Sequence, residues 1–507
     1  MNFLSSISNA VISASSQALQ SATSQIPGVS GYTLGEKVLE FQGKSIWNLY
    51  TGTKRDDQSK VSIFSFELNS QNNNVGGSGD RKQLLQLAKN SFRKLRSTRH
   101  PNVLKFLNGS ESDTSIWIIT EPVTPLSIVL KQEGLSLESK VYGLLHLNTA
   151  LSFLNKMEGE GGSKSVHGGL RLENSVWVTK SGEWKLGGIE LCTRLDDSQG
   201  TIWSLASNLP DSRYYASPEI RKNGWTCLKE YDASVYDSWL LHLFIYQLFN
   251  SPDGSLPTSF LSSSSSETAS LPLTSRGQIP PTMFQAWKRL GSQNPVSRLK
   301  TFQFLELGNS LSEGSSGGWW TQNRLVKLST ALDNFSLSSE NEQTTLIRTL
   351  KAISSSSSSS NPQTQTQTNG TSNSQALPSG FLLYKILPSL LHTFEFSSSS
   401  PSSPNSPATS SSITSSSLLP LILSLSSQLS SPTEYSQLVI PPILRMFSLP
   451  DRSMRMALLE TLDQYVDKLT TKEVCEKVWP NLVTGFGDLV PVIREVTVKS
   501  ILILAPK

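Results

Sequence analysis

Two apolar residues, a proline and, six positions after the proline, a phenylalanine form a pattern that occurs three times in the last third of the chain. Its proline–phenylalanine pairs are Pro388 and Phe394, Pro441 and Phe447, and Pro480 and Phe486. The second and third copies lie 39 residues apart, and the same offset relates Met454 to Ile493. Helix pairs that repeat every 40 residues or so are typical of HEAT-type solenoids, in which each pair buries its apolar face on the next. We therefore predict HEAT-type helical repeats over residues 318–507, with an ordinary helical bundle as the alternative.

Serine-rich tracts interrupt this region and explain why only 37% of the 507 residues are hydrophobic. Such tracts cannot offset the entropy lost on ordering, so we predict disordered loops at 262–266, 354–376 and 397–417. The three cysteines are widely spaced and include no C-x-x-C pair. This spacing excludes a disulfide framework and a zinc site, and it favours a reducing compartment.

The N-terminal segment, residues 1–30, is rich in serine and uncharged, like the residues that follow it up to position 35. Its apolar residues recur at helical spacing, which predicts an amphipathic helix able to lie on a loosely packed membrane. A disordered polar leader is the alternative. No apolar run approaches the roughly 20 residues of a membrane span. The N-terminal segment is therefore compatible with peripheral association with a membrane.

Residues 31–307 change from strand-like to helical patterns. Short apolar runs at 47–50, 61–68 and 116–119 predict strands. Apolar residues spaced by threes and fours predict a helix over 141–155, and an almost wholly apolar stretch predicts a buried helix over 237–249. The order indicates a sheet-containing lobe followed by a helical lobe.

Short motifs in this region resemble, in their order, those of a protein kinase domain. The loop His167–Asn174 matches the catalytic-loop pattern H-R-D-L-K-P-E-N in length and at most non-catalytic positions. Glu219 stands in the A-P-E position, Asp237 in the buried helix, and Arg298 in the late loop. The resemblance implies a structural pair between Glu219 and Arg298. It predicts an α+β protein-kinase-like bilobal domain over 31–307, followed by the all-α HEAT-repeat solenoid.

The side chains that phosphoryl transfer requires are absent from this pattern. Kinases work by positioning ATP and neutralising charge. The ATP-binding lysine is replaced by Phe64 and its glutamate partner by Ser91, while the catalytic and metal-binding aspartates are replaced by Gly169 and Gly188. The stretch that matches the glycine-rich loop has one glycine, Gly43. We therefore predict a pseudokinase with no catalytic residues.

A few vestiges of the nucleotide site remain. Asn174 matches a magnesium ligand, and Thr120 and Glu121 stand beside the adenine slot. One amide without its aspartate cannot hold magnesium on a triphosphate, so we expect no metal site and weak or absent ATP binding. Glu190, two residues after Gly188, keeps open the alternative of an atypical kinase.

The way in which these motifs are broken resembles the Scy-like pseudokinases, also called N-terminal kinase-like proteins, which include the fungal cytoplasmic tRNA export protein. The similarity extends from about Tyr32 to Lys507 and includes 61–64, 91–95, 120–126 and 183–188. It implies a cytoplasmic scaffold whose partners bind through the HEAT repeats. Those partners would be coatomer, in Golgi-to-ER traffic, or factors of tRNA export at the nuclear pore.

Three functional classes remain open: a scaffold in transport, a HEAT protein that binds tRNA directly, and a weak atypical kinase. Direct tRNA binding requires a basic stripe along the repeats. The basic residues of the predicted repeats are spread rather than clustered; they are Lys385, Arg445, Arg452, Arg455, Lys468, Lys472, Lys477, Arg494 and Lys499.

Overall fold

The structure, a computed structural model, describes residues 26–68, 78–132, 134–156, 164–209, 211–252, 254–255, 275–310, 318–357, 377–399, 415–429 and 431–506. The chain forms two compact units, Met1–Asn323 and Arg324–Lys507. The predicted amphipathic helix within residues 1–30 lies almost wholly outside the described residues, as does the tract 262–266.

The first unit begins with an antiparallel five-stranded sheet of order β1-β2-β3-β5-β4. Its strands are β1 (Tyr32–Lys37), β2 (Asn48–Lys54), β3 (Lys60–Glu67), β4 (Phe106–Glu111) and β5 (Ser115–Thr120). Helix α1 (Ser78–Ser97) connects β3 to β4 and buries an apolar face that includes Leu84 and Leu87. Ile26 also lies buried, in a cluster with Val61 and Trp117 of the sheet. The ordered domain therefore begins before the predicted boundary at residue 31.

A helical lobe follows, and its core is continuous with the sheet. Its strands are β6 (Thr124–Pro125), β7 (Ser165–Val166), β8 (Val176–Val178), β9 (Trp184–Leu186) and β10 (Thr193–Arg194). Its helices are α2 (Leu126–Gln132), α3 (Leu137–Lys156), α4 (Thr201–Ser204), α5 (Ser212–Tyr215), α6 (Pro218–Asn223), α7 (Ser234–Asn250), α8 (Pro281–Leu290) and α9 (Thr301–Asn309). Helix α7 is buried on nearly every side, as its apolar composition predicts.

Two tryptophans move the end of this unit beyond the predicted position at residue 307. Trp319 and Trp320 are 4% and 0% exposed, and both rings contact Phe304 of α9. Because these large rings belong to the core of the first unit, the boundary falls after Asn323 rather than between 307 and 318.

The described residues of the second unit form helices and no strands. Its helices are α10 (Arg324–Asp333), α11 (Glu340–Ser357), α12 (Leu387–Ser399), α13 (Ser415–Ser426), α14 (Pro432–Leu438), α15 (Ile440–Phe447), α16 (Arg452–Glu460), α17 (Trp479–Val483) and α18 (Pro491–Leu504). Helices α11, α13, α16 and α18 contact one another in series, and α12 contacts α15 beside them. This serial pairing is the arrangement expected of a helical solenoid.

The repeated prolines lie close to the starts of helices. A five-residue π-helical turn ends just before α12 and another just before α17, at Ile386 and Val478. A proline lacks an N–H group and its ring crowds the preceding turn, so a widened turn accommodates it. Met454 and Ile493, which are related by the 39-residue offset, are both buried.

The serine tracts are shorter than predicted where the structure describes them. Ser354–Ser357 continue α11, Ser397–Ser399 end α12, and Ser415–Ser417 begin α13. Serine is tolerated at the end of a helix, where it is less unfavourable than in the helix interior. The other residues of these two tracts, 358–376 and 400–414, lie outside the described part of the chain. No helix among the described residues is long and apolar enough to cross a bilayer.

Candidate functional site: the remnant of a nucleotide cleft

A buried carboxylate holds the loop His167–Asn174, which matches the kinase catalytic loop, in place. Asp237, on α7, is fully buried and accepts hydrogen bonds from the backbone N–H groups of His167 and Gly168, each at 2.8 Å. The side chain of Asn155 donates to the same carboxylate at 2.7 Å. Burial raises the pKa of Asp237 to about 6, although its three donors work in the opposite direction. This aspartate therefore shapes the loop and faces no solvent.

A buried ion pair closes the lower part of the helical lobe. The guanidinium of Arg298 donates two hydrogen bonds to the carboxylate of Glu219, at 2.8 and 2.7 Å. Burial acts to raise the pKa of Glu219, but the hydrogen bonds and charge of Arg298 outweigh it and lower that pKa. The structure thus places together the two residues for which the sequence predicts a structural pair.

The cleft between the sheet and the helical lobe is filled by aromatic rings. Phe64, on β3 at the position of the ATP-binding lysine, lies edge-on to Trp177 with ring centroids 4.9 Å apart. The ring centroids of Phe41 and Trp177 lie 5.3 Å apart. Trp177 is 2% exposed, and Phe41 and Phe64 are also buried. Three apolar rings therefore occupy the space in front of β3.

The two missing aspartates could not be restored by substitution alone, because the backbone closes on both positions. A Cβ atom added at Gly169 would lie 2.6 Å from the carbonyl oxygen of Gly188. Gly188 has a φ of +63°, and a Cβ there would lie 2.4 Å from the Cβ of Ser175. The left-handed φ and the close approach both favour glycine. The loops that would carry the catalytic and metal-binding carboxylates instead pack directly on each other.

His167 joins these two loops through its ring. Its Nδ1 accepts from the N–H of Gly169 at 3.2 Å, so its Nε2 carries the proton and donates to the carbonyl of Gly187 at 2.9 Å. Burial lowers the pKa of His167 to about 4. A neutral imidazole at neutral pH therefore holds the close approach in place.

The segment that matches the glycine-rich loop is folded down and tied to the lower lobe. Residues Leu39–Phe41 form a short 3-10 turn. The side-chain amide of Asn174 donates to the carbonyl of Lys44 at 2.6 Å. Asn174, which only matches the position of a kinase magnesium ligand, thus serves as a clasp between the two lobes.

Glu190 forms a second clasp. Its carboxylate is 7% exposed and accepts a hydrogen bond from the indole N–H of Trp47 at 2.5 Å. Burial raises the pKa of Glu190, although the bond to Trp47 acts to lower it. The carboxylate that could have replaced the metal-binding aspartate faces an indole in the core. No group of three His, Cys, Asp or Glu side chains that could hold a metal ion occurs in the described part of the chain.

The segment between the lobes has its polar groups engaged internally. Thr120 is fully buried, and Glu121 accepts through its side chain from the N–H of Lys105 at 2.9 Å. The hydroxyl of Ser62 accepts from the N–H of Val123 at 3.0 Å and donates to its carbonyl at 3.2 Å. A purine edge at this position would have to displace these bonds.

Helix α1 keeps its position without the usual ion pair. Ser91, at the position of the glutamate, is 4% exposed. The adjacent Asn90 donates to the carbonyls of Glu190 and Cys192, at 2.7 and 3.2 Å. A neutral amide therefore links α1 to the segment after β9, whereas a kinase anchors this helix to β3 through a Lys–Glu ion pair.

Sequence reasoning missed the residues that fill and close the cleft, namely Phe41, Trp47, Asn90 and Trp177. It also missed Arg171, which lies in the catalytic loop. Arg171 is 2% exposed, bonds Asp211 at 3.0 Å and stacks 3.7 Å over the ring of Tyr215. The sequence feature that could have indicated the filled cleft is side-chain size. Large aromatic residues lie at positions 41, 47 and 177, within or beside motifs that would contact nucleotide in a kinase.

Comparisons with known proteins agree with this geometry. The chain is 29% identical over 476 residues to the probable inactive serine/threonine-protein kinase scy1 of Dictyostelium discoideum, which covers 94% of this chain and 49% of that protein. It is 23% identical over 478 residues to cytoplasmic export protein 1 of Saccharomyces cerevisiae, covering 93% of this chain and 52% of that protein. The chain therefore spans about half the length of these relatives. No family model matches it.

The fold has a solved counterpart. A crystal structure of Cex1p matches with a TM-score of 0.55 at 20% identity, covering 95% of this chain and 75% of that one. At this identity the likeness shows the fold alone, and it confirms a kinase-like domain followed by a helical region. The kinase-like domain is that of a pseudokinase, in agreement with the name of the Dictyostelium relative. The resemblance to the Scy-like pseudokinases is thus confirmed, by sequence over nearly the whole chain and by fold.

Proposed function

We propose that the chain acts as a non-catalytic scaffold in cytoplasmic transport, in which the kinase-like domain is a rigid body and the helical unit supplies surfaces for protein partners. The observation that carries this proposal is the filled and clasped cleft. Phe64 and Trp177 occupy its interior, and Asn174 ties down the loop above it. A kinase must open and close around ATP, whereas these contacts stabilise one closed state.

The same observation supports the absence of a nucleotide cofactor. MgATP would need a lysine for its phosphates and at least one carboxylate for its metal. The corresponding positions are Phe64, Gly169 and Gly188, and Glu190 is bonded to Trp47 instead. We infer that ATP binds weakly or not at all, which also argues against the atypical-kinase alternative.

The nature of the partners follows from the resemblance. Scy-like proteins are associated with coatomer in Golgi-to-ER traffic and, in fungi, with tRNA export at the nuclear pore. The yeast relative is named a cytoplasmic export protein. Protein partners of one of these two systems are therefore proposed for this chain, with the cytoplasm, the Golgi surface or the nuclear pore as its location.

Direct tRNA binding along the helical repeats receives little support. Six of the nine basic residues considered for that role form ion pairs with acidic side chains of the same unit: Lys385, Arg445, Arg452, Arg455, Lys472 and Lys499. A seventh, Arg494, donates to the backbone carbonyl of Asp488. Cations neutralised in this way release few counterions when a polyanion binds.

Affinity purification of the chain from cells, with and without added MgATP, tests the scaffold proposal. We expect coatomer subunits or tRNA-export factors to be captured in equal amounts under both conditions, because the cleft takes no part in binding. Capture that requires MgATP, or that is abolished by it, would contradict a nucleotide-independent scaffold. Absence of both groups of proteins from the captured material would contradict the assignment to transport.

A further inference from the structure

The exposed apolar side chains of the described residues lie mostly at the last helices of the second unit. Of thirteen large hydrophobic residues that are exposed in the described part of the chain, eight lie between positions 479 and 502. Leu489 and Leu502 are the most exposed of these, at 83% and 79%. Single exposed apolar residues need no explanation, whereas a group of them indicates a binding surface.

A groove of about 540 Å³ lies in this region, between α16 and the start of α18, and Pro420 of α13 also lines it. Its apolar lining includes Met456 and Ala457 from α16 and Val492 and Ile493 from α18. Ile493 is 5% exposed and Val492 is 50% exposed. The groove therefore has an apolar floor and an apolar rim that is open to solvent.

Two charged residues of α16 line the same groove. Arg452 and Glu460 are eight residues apart on this helix, a distance of about 12 Å along its axis. The guanidinium of Arg452 lies 3.1 Å from the carboxylate of Asp488, and that of Arg455 lies 3.7 Å from the same carboxylate. Among the described residues, no basic side chain forms an ion pair with Glu460. A partner of this groove would therefore meet a neutralised cation and the negative charge of Glu460.

The walls of the groove determine the form of a partner. They are helices, whose backbone N–H and C=O groups bond to one another, and the described residues of the second unit include no strand. An extended peptide would therefore find no sheet edge to pair with. A helix satisfies its own backbone groups and can lay an apolar face in the groove. The carboxylate of Glu460 favours a partner with a cation and disfavours a nucleic acid or an anionic bilayer.

We propose that the groove between α16 and α18 binds an amphipathic helix of a protein partner. Apolar side chains at positions i, i+4 and i+7 of that helix pack on Met456, Ala457 and Val492. A lysine or arginine on the same face contacts the carboxylate of Glu460. The inference rests on the proposed scaffold function, because it names the kind of segment that the helical unit would bind.

Selection of helical peptides on the full chain tests this groove. The probe is a displayed library of helical peptides of about 14 residues, or four turns, with randomised positions on one face. We expect the enriched peptides to share apolar residues spaced by threes and fours, with a lysine or arginine on the same face. A scrambled peptide of equal composition should bind about tenfold more weakly than a selected one, because its apolar residues no longer share a face.

Variants of the chain locate the selected peptide. Val492→Glu should weaken binding of a fluorescently labelled peptide by about tenfold or more, because a carboxylate would then face its apolar side chains. Leu337→Glu is the matched control, since Leu337 is exposed in the same unit and does not line the groove. It should change binding by less than about twofold. Glu460→Lys should weaken binding by about fivefold, and a peptide whose basic residue is exchanged for glutamate should restore it.

Four outcomes would overturn the proposal. They are no enrichment of helical peptides, enriched peptides that bind Val492→Glu as tightly as the unaltered chain, selection of an acidic residue in place of the basic one, and a dimer of the chain that Val492→Glu dissociates. The dimer would assign the groove to a second copy of the chain. Capture of transport proteins without MgATP would stand in each of these cases. Failure of that capture, with peptide binding retained, would contradict only the assignment to transport, so the two proposals fail separately.

Discussion

In the kinase-like domain, the charged residues of the kinase motifs are present below the cleft and replaced within it. Below the cleft, the ion pair of Arg298 with Glu219 and the carboxylate of Asp237 occupy the positions that the motifs predict, with good hydrogen-bond geometry. Within the cleft, the charged positions hold Phe64 and Gly169 instead. Groups that hold the fold together are present, and groups that would bind a nucleotide are replaced by groups that fill space. The domain therefore keeps the groups that stabilise its fold and lacks the groups that phosphoryl transfer requires.

Loss of the buried ion pair should have the largest effect on stability. Arg298→Ala would leave Glu219 charged in a buried site and should lower the free energy of unfolding by about 3–5 kcal/mol. Arg194→Ala is the matched control, because Arg194 makes a similar two-bond contact with Asp196 at the surface. That pair is exposed and screened by solvent, so its loss should change stability little. Urea denaturation of both variants makes the comparison, and equal losses would contradict it.

Restoring a cation to the cleft should destabilise the domain and not revive it. Phe64→Lys would place an ammonium group against Trp177, with Ser91 in α1 at the position of the glutamate, and should cost about 3 kcal/mol. Phe64→Leu, which keeps the site apolar, should cost about 1 kcal/mol.

The double variant Phe64→Lys/Ser91→Glu sharpens this comparison. It should recover part of the loss through the new ion pair, but it should still show no magnesium-dependent stabilisation by ATP, because Trp177 and the Gly169–Gly188 contact remain. Thermal melting with and without MgATP provides the measurement. A double variant that ATP stabilised by several degrees would show that two side chains alone separate this cleft from a functional one.

The domain should lose stability in mild acid. Burial lowers the pKa values of His167 and His242 to about 4, from ordinary values near 6.5. The unfolded chain therefore binds protons more readily below pH 6.5, and each histidine costs about 3 kcal/mol of stability as the pH falls to 4. Asp237, whose pKa is raised to about 6, acts in the opposite direction and offsets about one histidine between pH 6 and 3.8.

The net loss should thus be about 3 kcal/mol between pH 6.5 and 4. The chain has only five histidines, so their imidazole resonances can be followed individually by NMR. Two of them, His167 and His242, should not titrate above pH 5. Titration of either one near pH 6.5 would show that the corresponding core site is open to water.

Much of this molecule could be predicted from its sequence, and the rest could not, for definite reasons. Periodicity predicts helix α3, because an apolar stripe must face a core whatever the core contains, and an almost wholly apolar stretch predicts the buried helix α7. Motif positions assign Gly169 and Gly188 to the places of the two kinase aspartates, since loop lengths fix them. They could not show that the two backbones touch, because that distance depends on the packing of both loops.

The aromatic rings that fill the cleft could not be predicted from the sequence, for a different reason. Phe41 lies in a segment whose motif match concerns only its glycines, and Trp177 lies just after the catalytic-loop match, which ends at Asn174. Each ring fills space only because its partner lies opposite it, 113 to 136 residues away along the chain. The extension of the first unit to Trp320 was missed in the same way, since Trp320 owes its burial to contact with Phe304.

The central claim, that this cleft is closed to nucleotide, is tested most directly by titration calorimetry of the full chain with ATP in the presence of magnesium. Three rings fill the space, and the carboxylate of Glu190 accepts a hydrogen bond from Trp47. We therefore predict no saturable heat up to millimolar ATP, with or without magnesium. Magnesium-dependent binding with a micromolar Kd, weakened by Glu190→Ala, would contradict the account.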